Sequence, residues 1–165
     1  MRRDEPVATF YIDGQSVGNE RPNLPRRARI AIAHRPDVSP RYFTPTRIIT
    51  EEIGDRTNNE AEYLALLRLL KLLASHVKAR KGSHAADESV RVYSDSEVLV
   101  KQLSGEYKVK EERLRKLWEE TKELMIEIGS VRIQHVPREA NLAGLWLEGK
   151  IEGAEMTPEE FLSNL

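Results

Sequence analysis

Apolar positions recur along this chain in two periods. The run Val7-Ala8-Thr9-Phe10-Tyr11-Ile12 is strand length and ends at Asp13, so a first strand is predicted over 7–13. Gly14 to Asn19 reads as a turn, followed by an Arg/Pro-rich loop to about residue 27. Ala28 to His34 alternates weakly and suits a second strand. Pro36, Asp37, Ser39 and Pro40 mark the next turn, and a third strand is placed over 42–53, with Pro45 as a point of interruption. Three strands on short connections suggest an antiparallel meander.

The period then changes. Tyr63, Leu66, Leu67, Leu70, Leu73, Ala74 and Val77 fall on one helical face. Thr57 with Glu60 three positions later has the form of a capping box, and Gly82 is the expected stop. Val90 to Ser94 is a fourth strand, and a second helix starts at Ser96. Gly105 interrupts it. Lys110 to Ile128 is a charged helix whose inner side carries Leu114, Leu117, Trp118, Thr121, Leu124, Met125 and Ile128. Val131 to Val136 is a fifth strand, a short helix begins near Asn141, and Thr157-Pro158-Glu159-Glu160 starts a last one. The order βββαβααβα implies an α/β domain with a mixed sheet and helices on its faces. A site is then expected at the carboxyl ends of the parallel strands.

Composition narrows the chemistry. With 165 residues, 39% hydrophobic and 32% charged, the chain is large enough for one domain with a core. It has no cysteine, which excludes disulfides, thiol catalysis and zinc–thiolate sites. No apolar run approaches the roughly 20 residues that span a membrane. Met1 to Pro6 precede only a strand-length apolar run, so a cytoplasmic location is expected. The net charge of −1 provides no general basic field for nucleic acid. Basic residues do gather locally, at Arg21, Arg26, Arg27 and Arg29 and again from Lys101 to Lys116. No serine has a His–Asp partner at a recognisable spacing.

Three acids stand where they can converge. Asp13 and Asp95 close strands, and Glu62 lies in the first turn of the long helix. Clustered carboxylates repel, and a site that collects them calls for a hard cation such as Mg²⁺ or Mn²⁺. Two such ions can drive in-line phosphodiester cleavage.

These segments together resemble ribonuclease H type 1. The match is carried by Tyr11-Ile12-Asp13-Gly14 with Gly18-Asn19, by Thr57-Asn58-Asn59-Glu60-Ala61-Glu62-Tyr63, by Tyr93-Ser94-Asp95-Ser96, and by His135-Val136-Pro137-Arg138-Glu139 with Asn141. A looser fifth segment is Gly105 to Lys110. The resemblance implies the ribonuclease H-like fold: a five-stranded mixed sheet, three antiparallel strands then parallel ones, with helices on both faces. It places this domain over 1–150, with 151–165 as a short C-terminal helical extension. The implied activity is endonucleolytic hydrolysis of the RNA strand of RNA/DNA hybrids with two Mg²⁺ or Mn²⁺ ions. Asp13, Glu62 and Asp95 would be the catalytic metal ligands. Asn19, Asn58 and Asn59 would face the hybrid's minor groove, where 2′-hydroxyls are read. Gly14, Arg138 and Asn141 would also bind substrate, Arg138 lying in the loop where some members of the family place a residue that assists product release or phosphate positioning. Glu60 and Glu62 lie about 200° apart on a helix, so they face different ways. The resemblance puts Glu62 in the site and leaves Glu60 to the cap.

The chain also departs from the family. The family's fourth acid falls here at Leu145, or at Gly144 if one residue is missing, and no Asp follows residue 96. Glu148, about one turn beyond, or the amide oxygen of Asn141, is the candidate replacement, with no replacement the third alternative. The family's glycine-rich turn after the first strand is replaced by Glu20 to Arg27. These departures keep two alternatives open: a hybrid- or duplex-binding module with little or no catalysis, and a DNA-directed nuclease of the same fold. The partner expected is the hybrid itself, with no membrane and no obligatory protein partner.

Overall fold

A computed structural model of the chain describes residues 7–18, 20, 23–36, 45–79, 89–163 and 165. Asn19, residues 42–44 of the expected third strand, and Gly82 lie outside the described residues. The strands are β1 (Val7–Val17), β2 (Arg27–His34), β3 (Arg47–Gly54), β4 (Ser89–Ser94), β5 (Val131–His135) and β6 (Ala154–Glu155). The helices are α1 (Asn58–Ala79), α2 (Glu97–Ser104), α3 (Glu112–Ile128), α4 (Leu142–Leu147) and α5 (Pro158–Ser163), with a 3₁₀ turn at Arg138–Ala140.

The sheet order is β5-β4-β1-β2-β3-β6. β1, β2 and β3 form the antiparallel meander, β4 runs parallel to β1, and β5 parallel to β4. The five expected strands are therefore present, and the count of five is corrected to six among the described residues. β6 is only two residues long and pairs parallel to β3 through Arg47↔Ala154 and Ile48↔Glu155. A strand that short has no period to read.

β1 also runs past the turn expected at residue 14. Its ladder with β2 continues from Gly14↔Ile30 to Val17↔Arg27. Gly14 is there for another reason. A Cβ at this position would lie 2.4 Å from the carbonyl carbon of Ala61 and 2.7 Å from its Cβ. The glycine lets α1 press against β1, which is the other meaning of glycine in a strand.

The weak alternation of β2 follows from burial on both faces. Ile30 and Ile32 join Phe10, Ile12, Val90 and Val92 in the larger core, under α1, α2, α3 and α5. Ala31 and Ala33 face the other way and form a smaller cluster with Ile48 and Ala143 of α4. Large side chains fill the broad layer, and alanines let the short α4 approach closely. α1 buries the expected stripe, from Tyr63 through Leu66, Leu67, Leu70 and Leu73 to Ala74. Thr57 and Glu60 make the reciprocal capping bonds, each 3.1 Å. Thr157 and Glu160 repeat the device at 3.2 Å, and it delivers Phe161 fully buried into the larger core. Trp118 and Trp146 are partly buried and pack against the larger and smaller clusters respectively. No helix among the described residues is long and apolar enough to cross a membrane.

Candidate active site

The parallel pairing of β1 with β4 sets Tyr11, in the middle of β1, opposite Tyr93 near the carboxyl end of β4. Asp13 lies two residues further along one strand, and Asp95 follows the end of the other. The close packing at Gly14 and Ala61 seats the next helical residue, Glu62, beside them. Each of the three carboxyl groups offers an oxygen within 4.8 Å of the other two. Asp13 is 2% and Glu62 8% exposed, while Asp95 is half-buried.

Burial makes this arrangement costly without a cation. Asp13 is pushed up to about 7, first by burial and then by the charge of Asp95. Glu62 is raised well above the ordinary carboxyl range by burial and by Asp13. The two share a hydrogen bond, and the backbone of Gly14 also reaches both. Even so, Asp13 Oδ2 and Glu62 Oε2 are buried with no hydrogen-bond partner among the described residues. Buried polar oxygens seldom remain unsatisfied. A hard divalent cation fits this donor set: three carboxylates, two orphaned oxygens and no sulfur or imidazole.

Gly144 leaves room beside them. A Cβ there would lie 3.3 Å from Asp13 Oδ2 and 3.5 Å from Asp95 Oδ2. Gly144, rather than Leu145, is thus the α4 position that faces the carboxylates, and it carries no side chain.

Asn141 is the N-cap of α4 and is fully buried. Its Oδ1 accepts from the backbone N–H groups of Ala143 and Gly144. Its Nδ2 donates to the Ile12 carbonyl at 2.9 Å and to Asp95 Oδ2 at 3.0 Å. Its amide oxygen is therefore engaged by the helix, and the residue stands behind the carboxylates. Glu148 is the C-cap of α4 and stands outside the triad. Its Oε1 accepts from Arg138 Nε at 2.6 Å, and its Oε2 lies 2.8 Å from Lys150 Nζ. Those two cations hold the Glu148 carboxyl below its usual range, Lys150 first.

On the open side, Asn58 and Asn59 are exposed at the start of α1. Asn58 Oδ1 accepts from the Ser16 N–H at 2.9 Å, tying the far end of β1 to the helix. Gly14 is buried and reaches the site through its backbone. Arg138 is exposed and acts electrostatically on Asp13 and Asp95. His135 ends β5 at the surface.

Sequence reasoning missed Lys150. Two positions apart on a helix, Glu148 and Lys150 would not meet. But α4 ends at Leu147, and Gly149 turns the chain at φ +74°. No periodic signal announces such a contact.

The chain matches the Reverse transcriptase-like family over residues 48–147. Among solved structures it is similar to LC11-RNase H1, isolated from compost by a metagenomic approach and solved in complex with an RNA/DNA hybrid. That match has 32% identity over 81% of this chain and 88% of the other, with a TM-score of 0.64. RNase H1 of the halophilic archaeon Halobacterium salinarum NRC-1 is 28% identical over 87% of this chain and 99% of its own, with a TM-score of 0.61. The N-terminal RNase H domain of rv2228c from Mycobacterium tuberculosis is 28% identical over 84% and 92%, with a TM-score of 0.59. With the sheet order, the acidic triad and these likenesses together, the chain belongs to the ribonuclease H type 1 family, within the reverse transcriptase-like group.

Proposed function

We propose that this protein hydrolyses the RNA strand of RNA/DNA hybrids with the help of divalent cations, Mg²⁺ or Mn²⁺. The observation that carries the reading is the triad: three carboxyl oxygens within 4.8 Å, with Asp13 Oδ2 and Glu62 Oε2 buried and without a hydrogen-bond partner among the described residues. Asp13, Glu62 and Asp95 would hold the ions. When bound, such ions supply an activated water and charge neutralisation at the leaving oxygen. The chain's own residues do the rest. Asn141 fixes the Asp95 carboxylate through Nδ2. Gly14 brings its N–H to Asp13 and Glu62. Asn58 and Asn59 stand exposed at the helix start beside the triad, where a 2′-hydroxyl edge has room to meet them. Arg138 adds positive charge next to the site.

A second reading has one observation in its favour. Gly144 faces the carboxylates where a fourth acid would stand, so a hybrid-binding protein with little catalysis is the competitor. Cleavage of a strand-labelled hybrid in Mg²⁺ and in Mn²⁺ separates them. Wild type is expected to cut only the RNA strand, with Asp13→Asn and Asp95→Asn each reducing the rate at least about a hundredfold, the scale of a lost charge-stabilising group, while hybrid binding persists. Wild type that binds the hybrid and cuts nothing with either ion decides for the competitor. A DNA duplex cut as fast as the hybrid would redirect the substrate assignment.

A further inference from the structure

Arg138 and Glu148 form a unit beside the triad, built on a rigid frame. β5 ends at His135, the Val136 N–H donates to the Ser94 carbonyl at 2.9 Å, and Pro137 leads into the 3₁₀ turn that starts at Arg138. At the other end of α4 the chain closes in a Schellman motif: the Gly149 N–H donates to the Trp146 carbonyl at 2.9 Å, and the Lys150 N–H to the Leu145 carbonyl at 2.8 Å. That turn sends Lys150 back against Glu148. Both oxygens of Glu148 therefore meet cations: Oε1 meets Arg138 Nε and Nη2, at 2.6 and 2.5 Å, and Oε2 meets Lys150 Nζ at 2.8 Å. The Glu148 side chain is only 18% exposed, against 60% for Arg138. The carboxylate is the fixed member, and the guanidinium is held by it at the surface.

Two consequences oppose the idea that Glu148 joins the metal site. It is not among the acidic groups that converge, and ligating an ion would require it to leave two cations. Arg138, in contrast, is aimed. With Nε and Nη2 on Glu148, its Nη1 has no partner among the described residues, and its charge is felt by Asp13 and Asp95. A planar guanidinium fixed along one edge presents its other edge to a phosphate oxygen with little further loss of freedom.

We propose that Glu148 is a positioning residue, which clamps Arg138 so that its free edge binds a backbone phosphate of the nucleic acid lying across the triad. This rests on the functional reading above, and it makes Arg138 the anion-binding member and Glu148 its holder.

The test is a double-mutant cycle with three readouts: hybrid binding by fluorescence anisotropy without metal, kcat and KM for hybrid cleavage, and Mn²⁺ binding to the metal-free protein by calorimetry. Arg138→Ala is expected to weaken hybrid binding and raise KM about ten- to a hundredfold, as for a lost charge-assisted hydrogen bond. Glu148→Ala reproduces most of that loss, Glu148→Gln a smaller part, and the double variant is no worse than Arg138→Ala alone. Mn²⁺ affinity of Glu148→Ala stays within about twofold of wild type, because in this arrangement no ligand has been removed. A tenfold or greater fall in Mn²⁺ affinity for Glu148→Ala would make it a metal ligand and overturn the clamp. Losses that multiply in the double variant would overturn it too. Wild type that binds but never cuts sinks only the cleavage reading, since the anisotropy cycle still decides the clamp. Wild type that fails to bind the hybrid sinks both.

Discussion

Asp13 and Glu62 sit together where water barely reaches, so each carboxyl holds its proton to a higher pH than usual. The folded, metal-free protein keeps a proton on Asp13 up to about pH 7, whereas the unfolded chain gives it up near the ordinary value of 3.8. Between those values the folded state binds more protons. Stability contributed by this group is full below about pH 4 and is lost as pH rises through about 7. His34 acts in the opposite sense, since burial lowers it and its contribution is lost as pH falls below its ordinary 6.5. A comparison in which both proteins keep His34 isolates Asp13 together with its partner Glu62, which Asp13 helps to raise. In metal chelator, the melting temperature of wild type should fall relative to Asp13→Asn between about pH 5 and about pH 8. At the upper pH the variant should melt several degrees higher, at about 2–4 °C per kcal/mol for a domain of this size. A variant that melts lower at pH 8 would mean that the carboxyls are not crowded as described. At this scale much was readable. The three acids, the Glu60 cap and the placement of Glu62 all rest on short-range patterns or on the family resemblance. The role of Gly14 was not readable, because a glycine that turns a chain and a glycine that admits a helix are the same letter.

The short α4 ties the site together as an element. Its N-cap holds Asp95, and its C-cap holds Arg138. Asn141→Ala removes the cap acceptor and the side-chain donor to the Ile12 carbonyl and Asp95 Oδ2. The expected loss is about 1–3 kcal/mol of stability, from a lost cap and a broken buried bond, with weaker Mn²⁺ binding because Asp95 is freed. Asn141→Asp keeps a cap acceptor but brings no donor, so in thermal melts it should recover part of the stability without recovering the metal affinity. Unchanged melting in Asn141→Ala would show that the cap contributes nothing. The position of this helix was legible from Asn141 onward. Its partners were not, since Ile12 lies 129 positions away in sequence.

On the scale of the whole molecule, the C-terminal segment adds β6 to the free edge of β3 and Phe161 to the core. Phe161 meets Phe10 and His34, each with ring centroids 6.0 Å apart. Replacing a buried phenylalanine by alanine costs about 3–5 kcal/mol, a large share of the roughly 5–15 kcal/mol that holds a domain together. Urea unfolding of Phe161→Ala should show that loss. A chain cut after residue 150 should fail to give a cooperative transition, having lost Phe161 and left Ile48 at an open edge. A cooperative, wild-type-like transition from the shortened chain would instead make residues 151–165 a dispensable appendage.

By itself the sequence determined the longer elements and several of their local ends. Helical and strand periods, capping boxes at Thr57 and Thr157, and the N-cap at Asn141 depend on groups within a few residues of one another, so they are written locally. It also named Asp13 and Asp95, because a carboxylate that closes an apolar run is visible without a fold, while the family resemblance named Glu62. Tertiary structure decided what those groups do together. Only the β1–β4 pairing and the Gly14–Ala61 contact bring three carboxyls within reach of one ion, and burial there, with their mutual repulsion, raises two of them. Only the turn at Gly149 brings Lys150 to Glu148, and only packing assigns Phe161 to the core. Apart from the Glu148–Lys150 pair, these contacts join positions far apart in the chain. Their energies depend on distance and on the exclusion of water, which exist only once the chain has folded.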